Sequence, residues 1–365
     1  MLSTRIIKIA GESQPIQIKK GCPQGGVLSP LLWNMVINEL ISKLNANHFY
    51  TDRKLPLSQN VEKLLNVTPD DLDAVLRHYK ITPKGLQEIV ISIQEWYEKQ
   101  HHLPQGQLDD KIILQHLILK GFNMEKVKDK IDNFFSAKHK MPEILLKRDP
   151  LASDFDRYLR FAFFVILPKK TSINHRVSIF RLQRPFDFIA ADVMKMAFML
   201  LEYRILNDIS LGEQWIFDLT NLSFQNSVQM TPVLITKLIY YIRFYFGSKI
   251  KGIHIVNMPA FVAPLLNIVK KIMKPKVAKR IYVYNNFDQI YEILPKNILP
   301  KEYGGDELSC QEIADEWRNA IQTDAWRTYF SEQDKLISDE SKRTRFLSTD
   351  DFFGCEGSFK KLEVD

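Results

Sequence analysis

Residues 214–257 read QWIFDLTNLSFQNSVQMTPVLITKLIYYIRFYFGSKIKGIHIVN. The stretch opens with a short β-branched and aromatic run and closes with another, GIHIVN from Gly252. Between them Thr231-Pro232 is a helix start, a capping hydroxyl followed by a proline whose missing N–H costs nothing at the first helical position. Strand, helix, strand in this order predicts a crossover unit with parallel strands.

The same alternation extends both ways. VSIF from Val177 and RIYVY from Arg280 read as further strands. Helical stretches fall at about 187–207, 231–246 and 258–274, with one more around CQEIADEWRNAIQ from Cys310. The polar tail follows. Before residue 149 the period is helical. Thr68-Pro69 and Thr82-Pro83 start helices, Leu86, Ile89, Val90, Ile93, Trp96 and Tyr97 form an i, i+3, i+4, i+7 stripe, and Asp109-Asp110 and Asn123 open two more. The predicted fold is therefore α/β: a helical bundle over 59–148, an α/β/α layer with a largely parallel sheet over 149–306, and a helix with a polar tail over 307–365.

With 365 residues, 45% apolar and 25% charged, the chain can bury one large core and a smaller helical unit. Its apolar runs are broken by Lys195, Glu202, Lys237 and Arg243 before they reach the ~20 residues that cross a bilayer. No signal peptide opens the chain, so a cytoplasmic protein is expected. Cys22, Cys310 and Cys355 are odd in number and scattered, which points to free thiols. A net charge of +7 calls for an anionic partner. The densest basic run, KKIMKPKVAKR over 270–280, lies among aliphatic residues rather than aromatic ones, which disfavours nucleic acid.

Catalytic motifs are missing. The sequence has no P-loop, dinucleotide glycine motif, nucleophile elbow or zinc-spaced Cys/His set, so no enzyme, metal or cofactor is expected. Asp218 has no base or nucleophile at a recognisable spacing, and His101-His102 reads as a solvated helix end.

Residues 1–58 differ. GCPQGGVLSPLLWNMVINELISKLN from Gly21 resembles the reverse transcriptase of non-LTR retrotransposons, but no catalytic aspartate pair follows it. Without paired carboxylates a two-metal nucleotidyl-transfer site cannot form. The segment is expected to be a non-functional fused fragment or an artefact of gene assembly.

From about residue 62 onward, the strings LDDKIILQHLILKGFNMEKVKDKIDNFFSAKHKMPEILLKRDP, IFDLTNLSF, KIKGIHIVN and ILPKEYGG, in this order, resemble the CRAL-TRIO (Sec14-like) lipid-binding family. The nearest likeness is to insect relatives of α-tocopherol transfer protein, retinaldehyde-binding protein and clavesin. The family's FLR-type arginine is replaced around Leu119-Lys120.

The resemblance implies a buried lipid pocket between the sheet and a mobile gate helix. Its lining would fall at Met194, Ala197, Phe198 and Leu201 on one helix, and at Phe217, Leu219, Ile253 and Ile255 on the strands. The gate would be the helix from Met258 to Met273, with Phe261, Val262, Leu265, Leu266 and Val269 on it. In the tocopherol-transfer relatives two basic residues before GIH and two after the gate bind phosphoinositides; their counterparts are Lys249, Lys251, Lys276 and Arg280. The expected activity is a monomeric soluble carrier that holds a tocopherol, retinoid, phospholipid or similar molecule and unloads it at phosphoinositide-containing membranes. A clavesin-type membrane-trafficking adaptor is the alternative.

Overall fold

The computed structural model describes residues 64–67, 69–106, 108–247 and 249–343, together with two strands, β1 (Ser3–Ile9) and β2 (Glu12–Ile18). These two pair antiparallel within a unit of their own, Met1–His48, and the chain from Phe49 forms a second unit. The polymerase-like stretch from Gly21, Thr68 and the ending from Thr344 lie outside the described residues.

Helices dominate residues 69–161: α1 (Pro69–Tyr79), α2 (Pro83–Glu98), α3 (Asp110–Lys120), α4 (Met124–Lys140), the short α5 (Pro142–Leu145) and α6 (Ser153–Phe161). Their starts are made by the side chains that the sequence offers for capping. Thr82 Oγ1 accepts from Gly85 N at 3.0 Å, Asp109 Oδ1 from Lys111 N at 2.8 Å and Asn123 Oδ1 from Lys126 N at 3.0 Å. Of the stripe on α2, Leu86, Val90, Ile93 and Tyr97 are buried. The central helix is α3, with Lys111 to Leu119 buried on every side, as an all-round apolar helix must be. It ends at Gly121, whose φ of 63° suits a residue without a Cβ.

The sheet has five strands in the order β3-β4-β5-β6-β7: β3 (Ala162–Ile166), β4 (His175–Leu182), β5 (Gly212–Asp218), β6 (Ile250–Val256) and β7 (Ile281–Tyr284). Strands β4 to β7 are mutually parallel, and β3 runs antiparallel to β4. Sequence reading missed β3, because its apolar run continues out of α6 with no turn signal between them.

The crossovers contain α7 (Ala190–Asn207), then α8 (Phe224–Val228) with α9 (Pro232–Tyr240), then α10 (Ala263–Ile272) with α11 (Pro275–Ala278). Strand order advances one way, so right-handed crossovers lay α7, α9 and α10 on one face of the sheet. Trp215 on that face meets Phe246, with ring centroids 6.2 Å apart. The helix expected over 231–246 changes type after Tyr240: Tyr241–Phe246 widen into a π-helical turn. Lys130 Nζ donates to the Phe244 carbonyl at 2.8 Å and Lys120 Nζ to that of Gly247 at 3.1 Å, supplying partners for carbonyls at the helix end. Beyond the sheet come α12 (Cys310–Ile321) and α13 (Asp324–Gln333), and Trp317 Nε1 donates to the Ile166 carbonyl at 2.9 Å, tying α12 to β3.

Candidate ligand site and basic face

The helix-covered side of the sheet presents two cross-strand rows. The first runs Phe164, Phe180, Phe217, Ile255 and Val283 through the ladder registers. Its three phenylalanines are only half-buried, and Val283 is exposed. Parallel strands are usually covered on both faces, so Phe217 on a central strand is less covered than such a position ordinarily is. The second row, Ile166, Ser178, Trp215, Ile253 and Ile281, is buried. Among the described residues Ser178 Oγ and Trp215 Nε1 have no hydrogen-bond partner.

Above these rows α7 contributes the buried Met194, Phe198 and Leu201 and the half-buried Ala197. The Phe198 ring stacks on Tyr241 at 3.3 Å and 4°, and its carbonyl accepts from Tyr241 Oη at 3.3 Å. Tyr241 in turn stacks near Phe246, the neighbour of Trp215. An aromatic column therefore closes the Phe198 end of the expected chamber, while the Phe217 end stays partly uncovered. Leu219 is buried just past β5, where its N–H bonds to the Val256 carbonyl at 3.1 Å.

The expected gate starts later than the sequence suggested. Ala260–Val262 form a 3-10 turn, which places Phe261 and the buried Val262 ahead of α10, and Leu265, Leu266 and Val269 on it. None of the ten residues of α10 is buried. Leu266 packs toward the core, whereas Ile268 and Ile272, four apart, stand exposed together. Phe261 meets the exposed Phe224 edge-on at 5.8 Å. Among the described residues no side-chain hydrogen bond or ion pair fastens α10, in contrast to α9, which is tied to the bundle by Lys237 with Glu143 and by Tyr240 with Asn133.

The four expected basic residues converge. Partial desolvation and the charges of Arg280, Lys249 and Lys276 hold the Lys251 ammonium below its ordinary pKa. Arg280 Nη1 donates to the Ile250 carbonyl, and Lys249 Nζ to Tyr79 Oη while lying 4.8 Å over the Tyr79 ring. The cluster is wider than the sequence indicated. Burial, then Lys249, Lys126 and Lys274, lower the Lys120 pKa to about 8, and Arg243 lowers that of Lys274. Lys120 and Lys126 come from the helical bundle, more than a hundred residues from the rest, so no local spacing could reveal them.

Other polar groups have structural partners. Burial pushes the Asp218 carboxyl up, but hydrogen bonds from Thr220, Asn257 and Tyr303 hold it below the usual range. His102 is buried rather than solvated, its Nε2 3.1 Å from Asp132 Oδ2, which corrects the reading of the His101-His102 pair. A cavity of about 10 Å³, room for a single water, separates α3 from α7 and is lined by Gln115, His116, Glu202 and Tyr329 among others. None of the expected pocket residues lines it. Among the described residues no group of His, Cys, Asp or Glu is placed to hold a metal ion, and no helix is long and apolar enough to cross a membrane.

Compared with known families, residues 161–305 match the CRAL/TRIO domain, and they contain the whole five-stranded sheet. Over the sheet and its crossover helices, the chain is similar to CRAL/TRIO domains. Residues 82–155, ahead of it, match the Pinta-like UBA domain. The "Alpha-tocopherol transfer protein-like" protein of Mus musculus is 25% identical over 245 residues, 66% of this chain and 71% of that one. Clavesin-1 of Xenopus laevis is 32% identical over 91 residues, 25% of this chain and 27% of that one. The crystal structure of Sfh5 aligns at a TM-score of 0.39 and 13% identity, over 72% of this chain and 97% of that one, too loosely to add to the topology. Lipid binding and transfer are what this family likeness implies.

Proposed function

We propose that the CRAL/TRIO-like domain holds one hydrophobic molecule between the sheet and α10 and unloads it at membranes containing phosphoinositides. The observation that carries this reading is the half-buried Phe164, Phe180 and Phe217 row on the sheet face toward the crossover helices, together with a helix, α10, that buries none of its own residues. A molecule of some twenty carbons placed there would gain on the order of 15 kcal/mol in gross burial at ~0.8 kcal/mol per methylene, before its immobilisation is subtracted. Apolar walls can therefore retain it.

Release calls for contact with a bilayer. Phe224, Val228, Val233, Ile268 and Ile272 are exposed on α8, α9 and α10, an apolar rim that suits a lipid surface. The basic cluster adds roughly 1 kcal/mol for each charge brought to an anionic leaflet, so Lys249, Lys251, Lys276 and Arg280 supply about 4 kcal/mol. That strength favours transient docking. The protein would then work in the cytoplasm as a carrier without catalysis, meeting membranes only to exchange its load.

Native mass spectrometry of the protein as isolated tests the carrier reading. One dominant bound lipid is the expected result. A protein that binds phosphoinositide vesicles yet holds no lipid would replace the carrier with an adaptor of the clavesin kind.

A further inference from the structure

The sheet ends at β7, which pairs with β6 alone. Ile253 N donates to the Arg280 carbonyl at 2.9 Å. Main-chain groups in a parallel ladder alternate sides, so Tyr282 and Tyr284 also face β6, while Ile281 and Val283 turn their N–H and C=O groups outward. Among the described residues nothing bonds to those outward groups. Tyr282 and Val283 lie on opposite faces of the strand and are each 44% exposed, so neither face shields the edge. Edge strands are ordinarily blunted by a charge, a proline or a bulge; IYVY, though short, has none of these. The flanks differ in charge. Lys279 and Arg280 precede the strand, whereas the exposed Asn285, Asn286 and Asp288 follow it.

We infer that β7 pairs antiparallel with β7 of a second copy of this chain, joining two sheets into one across a two-fold axis. Ile281 of each copy stands opposite Val283 of the other and exchanges N–H···O=C bonds with it, which sets Tyr282 against its own counterpart at the close, non-hydrogen-bonded position. The two tyrosines add an aromatic cross-strand contact. Antiparallel pairing carries Lys279 and Arg280 toward the neutral and acidic end of the partner strand, whereas parallel pairing would set cation beside cation. A strand from another protein would have to reproduce this pattern; a second copy has it by construction. The axis stands perpendicular to the sheet, so α7, α9 and α10 of both copies lie on the same side and address one surface. The pairing departs from the monomer expected from the sequence, and it does not depend on what the domain carries. Because the strand is only four residues long, the interface is small and the dimer weak and concentration-dependent.

Sedimentation velocity of the full-length protein from about 1 to about 300 μM, the range in which small interfaces associate, tests this. The weight-average mass should climb toward twice that of one chain. Tyr282→Lys sets two cations face to face and Val283→Pro removes an outward N–H; each should weaken association about tenfold or more with an unchanged circular dichroism spectrum, while Tyr282→Phe should leave association as it was. With Cys22 and Cys355 replaced by serine, Tyr282→Cys should give a covalent dimer on mild oxidation, because the paired Cα atoms approach to about 4.5 Å. Ile173→Cys, in an exposed turn, should not. Association that survives Tyr282→Lys runs through another surface, and a chain monomeric throughout leaves the edge to a segment of a different protein; either overturns the inference.

Discussion

Arg148, at the end of the helical bundle, donates a hydrogen bond to Glu202 in the middle of α7, and both side chains are shut off from water. Tyr245 Oη and Tyr329 Oη complete the carboxylate's shell at 2.9 and 3.0 Å. Glu202 thus joins the bundle, α7, the π turn and α13. Burial pushes its pKa up, but the charge and hydrogen bond of Arg148 hold it below the ordinary carboxylate range.

Breaking this pair should be costly. Arg148→Met leaves an uncompensated buried carboxylate and should lower the unfolding free energy by about 3–5 kcal/mol in urea titrations. The double variant Arg148→Met with Glu202→Leu should recover more than half of that loss, since it removes the charge along with its partner. A double variant as unstable as the single one would show that the pair's worth lies in packing alone.

His116 predicts an acid-sensitive interior. Its two ring nitrogens are buried and unpartnered, and burial, Lys130 and Lys120 hold its pKa well below 6.5. The unfolded chain takes up a proton there that the folded chain refuses, so stability falls as pH drops through the unfolded value. From pH 7 to 5 this one group should remove up to about 2 kcal/mol. Replacing it, His116→Phe, should flatten that part of the stability curve measured by denaturant melts at each pH.

Charge removal should act on docking rather than folding. Lys276→Ala with Arg280→Ala should weaken binding to phosphoinositide-containing vesicles about thirtyfold, at ~1 kcal/mol per charge, and reduce its salt dependence in co-sedimentation. The Lys120→Ala variant should also weaken binding, although residue 120 belongs to the helical bundle. Unaltered binding in both would remove the cluster from the membrane surface.

The outward side of α10 separates membrane contact from stability. Ile268→Asp with Ile272→Asp alters exposed positions and should shift the unfolding free energy by less than about 1 kcal/mol. Transfer of a fluorescent lipid between vesicles should nevertheless slow at least tenfold. Normal transfer by this variant would assign the exposed stripe to something other than the bilayer.

Much of the design is local and hence legible. Capping at Thr82, Asp109 and Asn123, the stripe from Leu86 to Tyr97, and the strand-helix alternation of residues 177–284 follow from backbone chemistry and periodicity, which act over a few residues at a time. The order of the family-like strings extended that reading to the sheet and the expected pocket positions. What folding alone decided depends on contacts between residues far apart in the chain. Lys120 reaches the basic cluster only because α3 ends against Lys249; His102 is buried only because α4 brings Asp132 to it; and β3 becomes a strand because β4 offers it an edge. In the same way nothing local distinguishes Ser178 and Trp215 from ordinary strand residues. Strand register sets them side by side, and burial with no partner among the described residues makes them chemically conspicuous, since hydrogen-bond satisfaction is a property of the assembled interior and not of any stretch of sequence.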